Sequence, residues 1–464
     1  MYQYKKICSV LILAAGLLSC RKYVEDVPVQ GQRVLVYTDD YRALMNNYSG
    51  SSGTETAYGV APALSCDDAD FTATEIQTSL STNIINTAMY TWNKPFYVDQ
   101  QSDYDWGFIY GAMYSCNTVI NGVMGSVGGD IVAKSTILGE ALMQRAFAYF
   151  MLVNTYAKQY DAATADTDPG VPVLLNPALF VDLTRTPVKQ VYEQMISDIR
   201  RAIPLLPVLQ PINFRPNKAS AYALLSKAYL NMRNFTSAAE FADSTLALSS
   251  ELYDYNTAVS GTTYTFLSQF NDKQVLLRKV ARATYGSYQL SQPLLTLLGT
   301  KDLRYTLFVR DGSNFSPAFT GSGFWPRDKY TGYPDKPAVG LTVNETWLIK
   351  AECLARAGKK DDAVKMLNDL RKKRFKPADY ADLSAASNDE ALQLVVDERR
   401  REFFGSGLRW LDQRRLNKDP QFAKTVTRVF NNVTYTLEPN SNGYVFPLAN
   451  FMVTQNPEMV QNPK

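Results

Sequence analysis

Histidine is absent from all 464 residues. Its absence excludes Ser-His-Asp and Cys-His catalysis, His-ligated zinc and imidazole proton transfer. Any catalysis would fall to carboxylates, Tyr, Lys or Arg. A dominant charge sign is also missing. The 48 Lys+Arg and 45 Asp+Glu leave +3, and removing residues 1–19 with Lys5 and Lys6 leaves 46 against 45, or +1. A chain so close to neutral has no global field to attract nucleic acid. Cysteine is scarce, at five. Beyond Cys20 only Cys66, Cys116 and Cys353 remain, with no CxxC spacing. Three thiols cannot all pair, so buried free cysteines are the expectation, and the sequence leaves their disulfide state open.

The N-terminus holds one apolar run, Ile7 to Leu18, behind Lys5 and Lys6. It is too short to span a bilayer as a mature helix and reads as a secretory signal peptide over 1–19. Leu17-Leu18-Ser19-Cys20 resembles the bacterial lipobox. The Cys20 thiol would form a thioether to diacylglycerol, and its freed amino group would take a further acyl chain of the palmitate kind. Several chains anchor stably where one does so marginally, at ~0.8 kcal/mol per buried methylene. Residues 20–36, with Pro28 and Gly31, read as a lipidated tether.

What the chain has in abundance is apolar residues, at 46%, and aromatics, at 12%, with 29 tyrosines. That suffices for a large core with aromatic rings left over for a ligand surface. The expected fold is mainly α, a tetratricopeptide-like helical-repeat scaffold with long irregular loop insertions. Helical spacing is read over Thr38–Tyr48, over Trp106–Ile120 and over Ile137 to about Tyr160. It recurs from Pro187, with Thr186 as cap and Pro187 at the first helical position. "AYALLSKAYLNMRNFTSAAEFADSTLAL" from Ala221 and "ETWLIKAECLARAGKKDDAVKMLNDLRKK" from Glu345 repeat one another. Aligning Ser226 with Ala351 also aligns Tyr222 with Trp347 and Ala238 with Ala363. A bulky residue four before a small one, with a second small residue on the next helix, is tetratricopeptide logic. Repeat pairs are placed near 137–206, 218–248, 342–375 and 389–417. Trp106, Trp347 and Trp410 read as core. Residues 50–101 and 249–341 are rich in Gly, Ser, Thr and aromatics with little helical period, and are read as loop-rich ligand-binding parts. The closing stretch from Gly443 is expected to pack back onto the scaffold.

Several segments together resemble the SusD/RagB family of lipoproteins. They are "GEALMQRAFAYFMLVNTYA", "GVPVLL" followed by "TRTPVKQVYEQMISDIRRAIPLLP", "NKASAYALLSKAYL", "NETWLIKAECLARAGKKDDAVKMLNDLRKKR", "DERRREFFGSGLRWLDQRRL" and "VFPLANFMVTQNPEMVQNP". The sequence departs from the family pattern at Ser406, where an acidic residue is usual, and at Ala157, where Gly is common. The resemblance implies a single SusD-like domain over 37–464. It also implies a nutrient-binding lipoprotein of the outer membrane, facing the cell exterior, that acts as lid for a SusC-like TonB-dependent transporter. An oligosaccharide is the implied ligand, a peptide the alternative, and a carboxylate-based glycoside hydrolase the more distant one. No catalytic residue and no cofactor are implied.

Sugar recognition needs flat apolar faces for C–H groups and a few directional polar groups. Two stretches offer them. The first supplies Asp67, Asp68, Tyr90, Trp92 and Asn93, and the second Tyr285, Tyr288, Trp325, Arg327 and Tyr330. The two are expected to converge on a shared aromatic platform. Asp67, Asp68 and Asp70 lack calcium-loop spacing, and a solvated turn is the expectation over a metal site. "DERRREFF" is expected to be an ion-pair network joining the last helices, with Arg409 and Asp412 nearby.

Overall fold

The computed structural model describes residues 34–463 except 50–52, 179, 261–262, 328 and 330–336. The signal peptide, Cys20, the tether to residue 33 and Tyr330 lie outside the described residues. The fold is mainly α, built of stacked helix pairs with irregular insertions.

Helix Ile131–Tyr156 is central, with every residue from Gly139 to Tyr156 buried. An all-round apolar helix belongs inside. It begins earlier than its apolar run because Asp130 caps it, accepting from the Ala133 N–H at 2.7 Å, and it ends at Tyr156, not Tyr160. Tyr104–Gly122 packs on one side and Val188–Ala202 on the other. Arg145 ties all three together. Its guanidinium donates to Asp198 at 2.7 and 2.8 Å and to Asn117 Oδ1 at 2.9 Å. Pro187 sits at the N-cap, so the Val188 helix starts one residue later than expected.

The internal repeat forms two such pairs. Lys218–Asn231 pairs with Phe235–Leu248, and Val343–Arg356 with Lys360–Arg371. The small residues sit where the helices meet. Ser226 Oγ donates to the Ala238 carbonyl at 2.8 Å, and Ala238, Ala351 and Ala363 are fully buried. Phe235–Leu248 packs on Val343–Arg356, which stacks one pair on the next. The last pair is Asn388–Phe403 and Leu408–Leu416, broken by Gly405 and Gly407 at φ 73° and 87°.

The insertions are more ordered than their composition suggests. Residues 50–101 hold three short helices, Ala61–Ser65, Thr74–Ser81 and Ile84–Thr91. Residues 249–341 hold helices Gln292–Leu298 and Leu303–Phe308 and short antiparallel ribbons. A hairpin, Val426–Phe430 with Val433–Leu437, turns at Asn431 and Asn432, both left-handed at φ 48° and 63°. The tail returns to the scaffold: Asn462 Nδ2 donates to the Tyr156 carbonyl at 2.7 Å.

The arginine-rich helix Asn388–Phe403 is the electrostatic hub. Glu398 accepts from Arg304, Arg371 and Arg401, and Glu402 from Arg304, Arg374 and Asn344. Arg399 bridges Asp412 and Glu345, and Arg415 bridges Asp412 and Glu352. Burial pushes the Glu398 carboxyl up, but Arg304, Arg401 and Arg371 outweigh it and hold it at about 2. The expected network is present, with one difference. Arg409 leaves it to hold Asp67, at 2.7 and 2.9 Å.

Candidate functional site

The two candidate stretches meet at the backbone. Ala69 bridges Leu290 and Gln289 bridges Gly323. The Asp70 N–H donates to the Gln289 carbonyl at 3.2 Å, and the Leu290 N–H to the Ser322 carbonyl at 2.9 Å. Most of the aromatic rings at this junction turn inward. Phe71 stacks on Tyr90 at 4.7 Å and on Tyr285 at 5.4 Å, and meets Tyr288 edge-on at 5.9 Å.

Five of the predicted ligand residues are therefore corrected to structural ones. Tyr90 and Trp92 are buried because they sandwich the Arg428 guanidinium, at 4.2 and 4.4 Å. Trp92 caps its helix in the left-handed conformation, and its Nε1 donates to the Ser65 carbonyl at 2.9 Å. Arg428 in turn donates to the carbonyls of Leu64, Cys66, Ala69 and Tyr90, and so pins the whole 64–69 turn. Tyr288 is buried, donating to the Ala63 carbonyl at 2.7 Å. Asp67 is taken by Arg409, and Asp68 accepts from Arg400 Nε at 2.8 Å. Burial pushes the Asp67 carboxyl up, but Arg409 and Arg400 outweigh it and hold it well below the usual range. These arginines hold both carboxylates against the last helices, which overturns the solvated turn. Among the described residues no group of three Asp, Glu, Cys or His gathers as a metal site would require. Asn93 is exposed, and it does not line the cavity described below.

Cys66, Cys116 and Cys353 are free and buried. Burial pushes the Cys66 thiol up to about 12, with Asp68 and Asp67 adding to the shift. None is a nucleophile at neutral pH.

Three predicted residues stay partly exposed on the second stretch: Tyr285, Trp325 and Arg327. Trp325 lies outside the helices, with Phe315 edge-on at 5.5 Å and Lys329 Nζ 5.6 Å from its ring centroid. Its N–H donates to the Phe308 carbonyl at 2.8 Å, which fixes where the loop crosses the surface. Arg327 donates to Asp272 at 3.1 Å and lies over the rings of Tyr253 and Phe266 at 5.7 and 5.2 Å.

Beneath Arg327 is a cavity of about 130 Å³. Tyr255, Phe308, Phe324 and Phe404 give it aromatic walls, and Gln274, Thr342, Asn344 and Glu402 give it polar ones. Phe324 meets Phe404 edge-on at 5.6 Å. That packing depends on Gly405, where a Cβ would lie 2.6 Å from the Phe324 ring. The polar side comes from the ion-pair hub. Glu402 binds Arg374 at 2.6 Å and Arg304 at 2.7 Å, and accepts from Asn344 Nδ2 at 2.8 Å. Burial pushes the Glu402 carboxyl up, but Arg374 and Arg304 outweigh it and keep it ionised. Sequence reasoning missed Glu402, Asn344 and Phe404. Their segments, the second repeat and the C-terminal motif, carry scaffold patterns, and nothing local in them marks these residues as facing a loop near residue 325.

Two family models match the chain. The model described as "Starch-binding associating with outer membrane" covers residues 32–230, and that of the SusD family covers 343–464. A SusD-like protein P2 from Formosa agariphila is 24% identical over 420 residues, covering 77% of this chain and 78% of its own. A SusD superfamily protein from Bacteroides thetaiotaomicron superposes with TM-score 0.75 at 20% identity, over 92% of this chain and all of the other. A protein described as a putative sugar binding protein, from Bacteroides vulgatus, gives 0.69 at 18% identity over 93% and 99%. With both ends of the chain matched by family models and the fold shared along nearly its whole length, this chain belongs to the SusD family.

Proposed function

We propose that this protein is a non-catalytic, glycan-binding surface lipoprotein that delivers oligosaccharide to a TonB-dependent outer-membrane transporter. The observation that carries the reading is the cavity under Arg327, with aromatic walls, amide and hydroxyl groups between them, and Pro326 and Arg327 of the loop that follows the partly exposed Trp325 in its lining. Aromatic faces take sugar C–H groups, and directional polar groups take hydroxyls. Family membership and the sugar-binding description of one structural relative support the same ligand class. Glycoside hydrolysis would need one carboxyl kept protonated near neutral pH and a second free to act. Asp272 and Glu402, which line the cavity, are both committed to arginines. The lipobox at Cys20 supplies the anchor in this reading, and the transporter is the partner to which a lid would couple.

The test is a screen of oligosaccharides and peptides against the purified protein, with chromatography of each ligand after prolonged incubation. Binding of an oligosaccharide with full recovery of the intact chain is the expected result. Cleavage products, or binding of peptides alone, would overturn it.

A further inference from the structure

We infer that the face of the fold next to the N-terminal chain rests on the lipid surface that carries the anchor, as a second contact besides the acyl chains of Cys20. The inference rests on the lipid-anchor part of the proposed function and adds to it which face of the domain meets the bilayer. A lipid on Cys20 fixes only one end of the chain. A second contact fixes the orientation of the fold above the membrane.

The face is built from two segments far apart in sequence. The Val127 N–H donates to the Val36 carbonyl at 2.8 Å, and the Thr38 N–H to the Val127 carbonyl at 3.0 Å. Gly128 and Gly129, left-handed at φ 74° and 64°, then turn the chain into helix Ile131–Tyr156. Leu35, Tyr41, Met45, Val123 and Ile137 belong to a small separate core that backs these segments. On the solvent side Val36, Tyr37, Met124, Val127, Ile131 and Val132 are all exposed, the last two at 66% and 68%. Exposed apolar residues scattered singly need no explanation. Six gathered by one backbone pairing and one turn make an apolar face that wants a partner.

The position of the face says what covers it. The 14 residues from Arg21 to Val34 lead from Cys20 directly to it. At ~3.5 Å per residue they hold it within ~50 Å of the bilayer, however they run. The composition fits a lipid interface as well. Segments 34–39 and 123–132 contain no Lys or Arg, and Asp39 and Asp130 are their only charges. Tyr37 supplies an aromatic ring with a polar tip, of the kind that sits at headgroup depth. An apolar face of this sort sinks ~5–10 Å into the boundary between headgroups and acyl chains. With no basic residue to draw it to anionic headgroups, the contact is apolar, and it should hold on uncharged lipid and at high salt.

The test uses the full chain, made with its signal peptide in a bacterium that processes lipoproteins and reconstituted in phosphatidylcholine vesicles. Part of the lipid is brominated near the glycerol end of its acyl chains, where bromine quenches nearby Trp fluorescence. Val132→Trp reports on the face. Val460→Trp is the control. Val460 is 65% exposed, and its carbonyl and that of Tyr156 accept from the same Arg185. It therefore lies at the far end of the central helix, ~38 Å from Ile131 at ~1.5 Å per residue. Quenching beyond that of the wild-type tryptophans should be several-fold greater for Val132→Trp than for Val460→Trp, at low and high salt alike. Adding Val36→Asp and Val127→Asp, both at exposed positions, should abolish the excess. Equal quenching at the two positions in anchored protein would overturn the inference and leave the anchor standing. Persistence of the excess in the aspartate variants would do the same, because the chain from Cys20 would then set the depth alone. So would an excess that disappears as the vesicles are crowded with protein, the mark of a second copy covering the face. A chain that carries no lipid and stays free of the vesicles would overturn the inference and the anchor reading together.

Discussion

Several single residues have environments that only the folded chain reveals. Lys279 is 2% exposed, with its ammonium against the Phe147 ring at 4.7 Å and donating to the Thr54 carbonyl and Gln144 Oε1. Burial pushes its pKa down to about 7. Between about pH 7 and 10.5 the unfolded chain then holds a proton there that the folded chain lacks. Stability is therefore greatest above the unfolded pKa and falls as pH drops toward 7. The loss between pH 9 and pH 6 should be about 3 kcal/mol, and Lys279→Met should lack it. Urea unfolding at the two pH values checks this, and a slope unchanged in the variant would refute it. Ligand binding should behave differently. Glu402 is held down by arginines and burial pushes Tyr255 up to about 12, so binding should be nearly flat between pH 6 and 8. Titration calorimetry across that range checks it, and a steep dependence would point to another site. By sequence alone Asp67, Tyr90 and Trp92 resemble ligand groups because small, polar and aromatic residues surround them. The partners that bury them, Arg409 and Arg428, lie more than 330 positions away, where no local pattern connects the two.

At the scale of elements the sequence was most legible where periodicity and size agree. The Ser226/Ala351 register located both helix contacts, because a small residue at a close crossing is a local, countable signal. Ala351→Leu should cost ~1–3 kcal/mol by overpacking, read as a lower urea midpoint. An unchanged midpoint would mean that the crossing tolerates bulk. The short helices in 50–101 were missed because each is five to eight residues long and is held by tertiary packing more than by its own period. The Val426–Leu437 hairpin did carry a signal, Asn431-Asn432 between alternating Val, Phe, Tyr and Thr, of the kind a two-residue primed turn gives. The ion-pair hub was anticipated from "DERRREFF", yet its reach was not. Arg304, from an insertion helix, is buried among Asp302, Glu398 and Glu402. Arg304→Met would leave those carboxylates without their main partner and should cost ~3–5 kcal/mol. Calorimetric unfolding checks it, and a melting temperature equal to wild type would show that the neighbouring arginines suffice.

For the whole molecule, the helix pairs form a rigid scaffold that brings an N-terminal insertion, a central insertion and the C-terminal motif to one place. The repeat scaffold was legible, and the two insertions do meet, since repeat folds gather their insertions. The shared aromatic platform expected there is not formed: Tyr90 and Trp92 are buried, and no residue of 50–101 lines the cavity under Arg327. The orientation of the rings at that junction was not legible, because it depends on buried arginines from the far end of the chain. The anchor belongs to this scale too. Cys20→Ala should abolish incorporation of labelled fatty acid and release the protein from membranes. Labelled protein that still sediments with the outer membrane would contradict the lipobox reading. The central claim is that the Trp325 loop and the cavity beside it bind the ligand. Isothermal titration of the bound oligosaccharide against wild type and Trp325→Ala tests that claim most directly. Losing a stacking aromatic should cost ~2 kcal/mol, roughly thirtyfold in affinity, with the unfolding midpoint unchanged. Equal affinity in the two proteins would place the ligand elsewhere on the molecule.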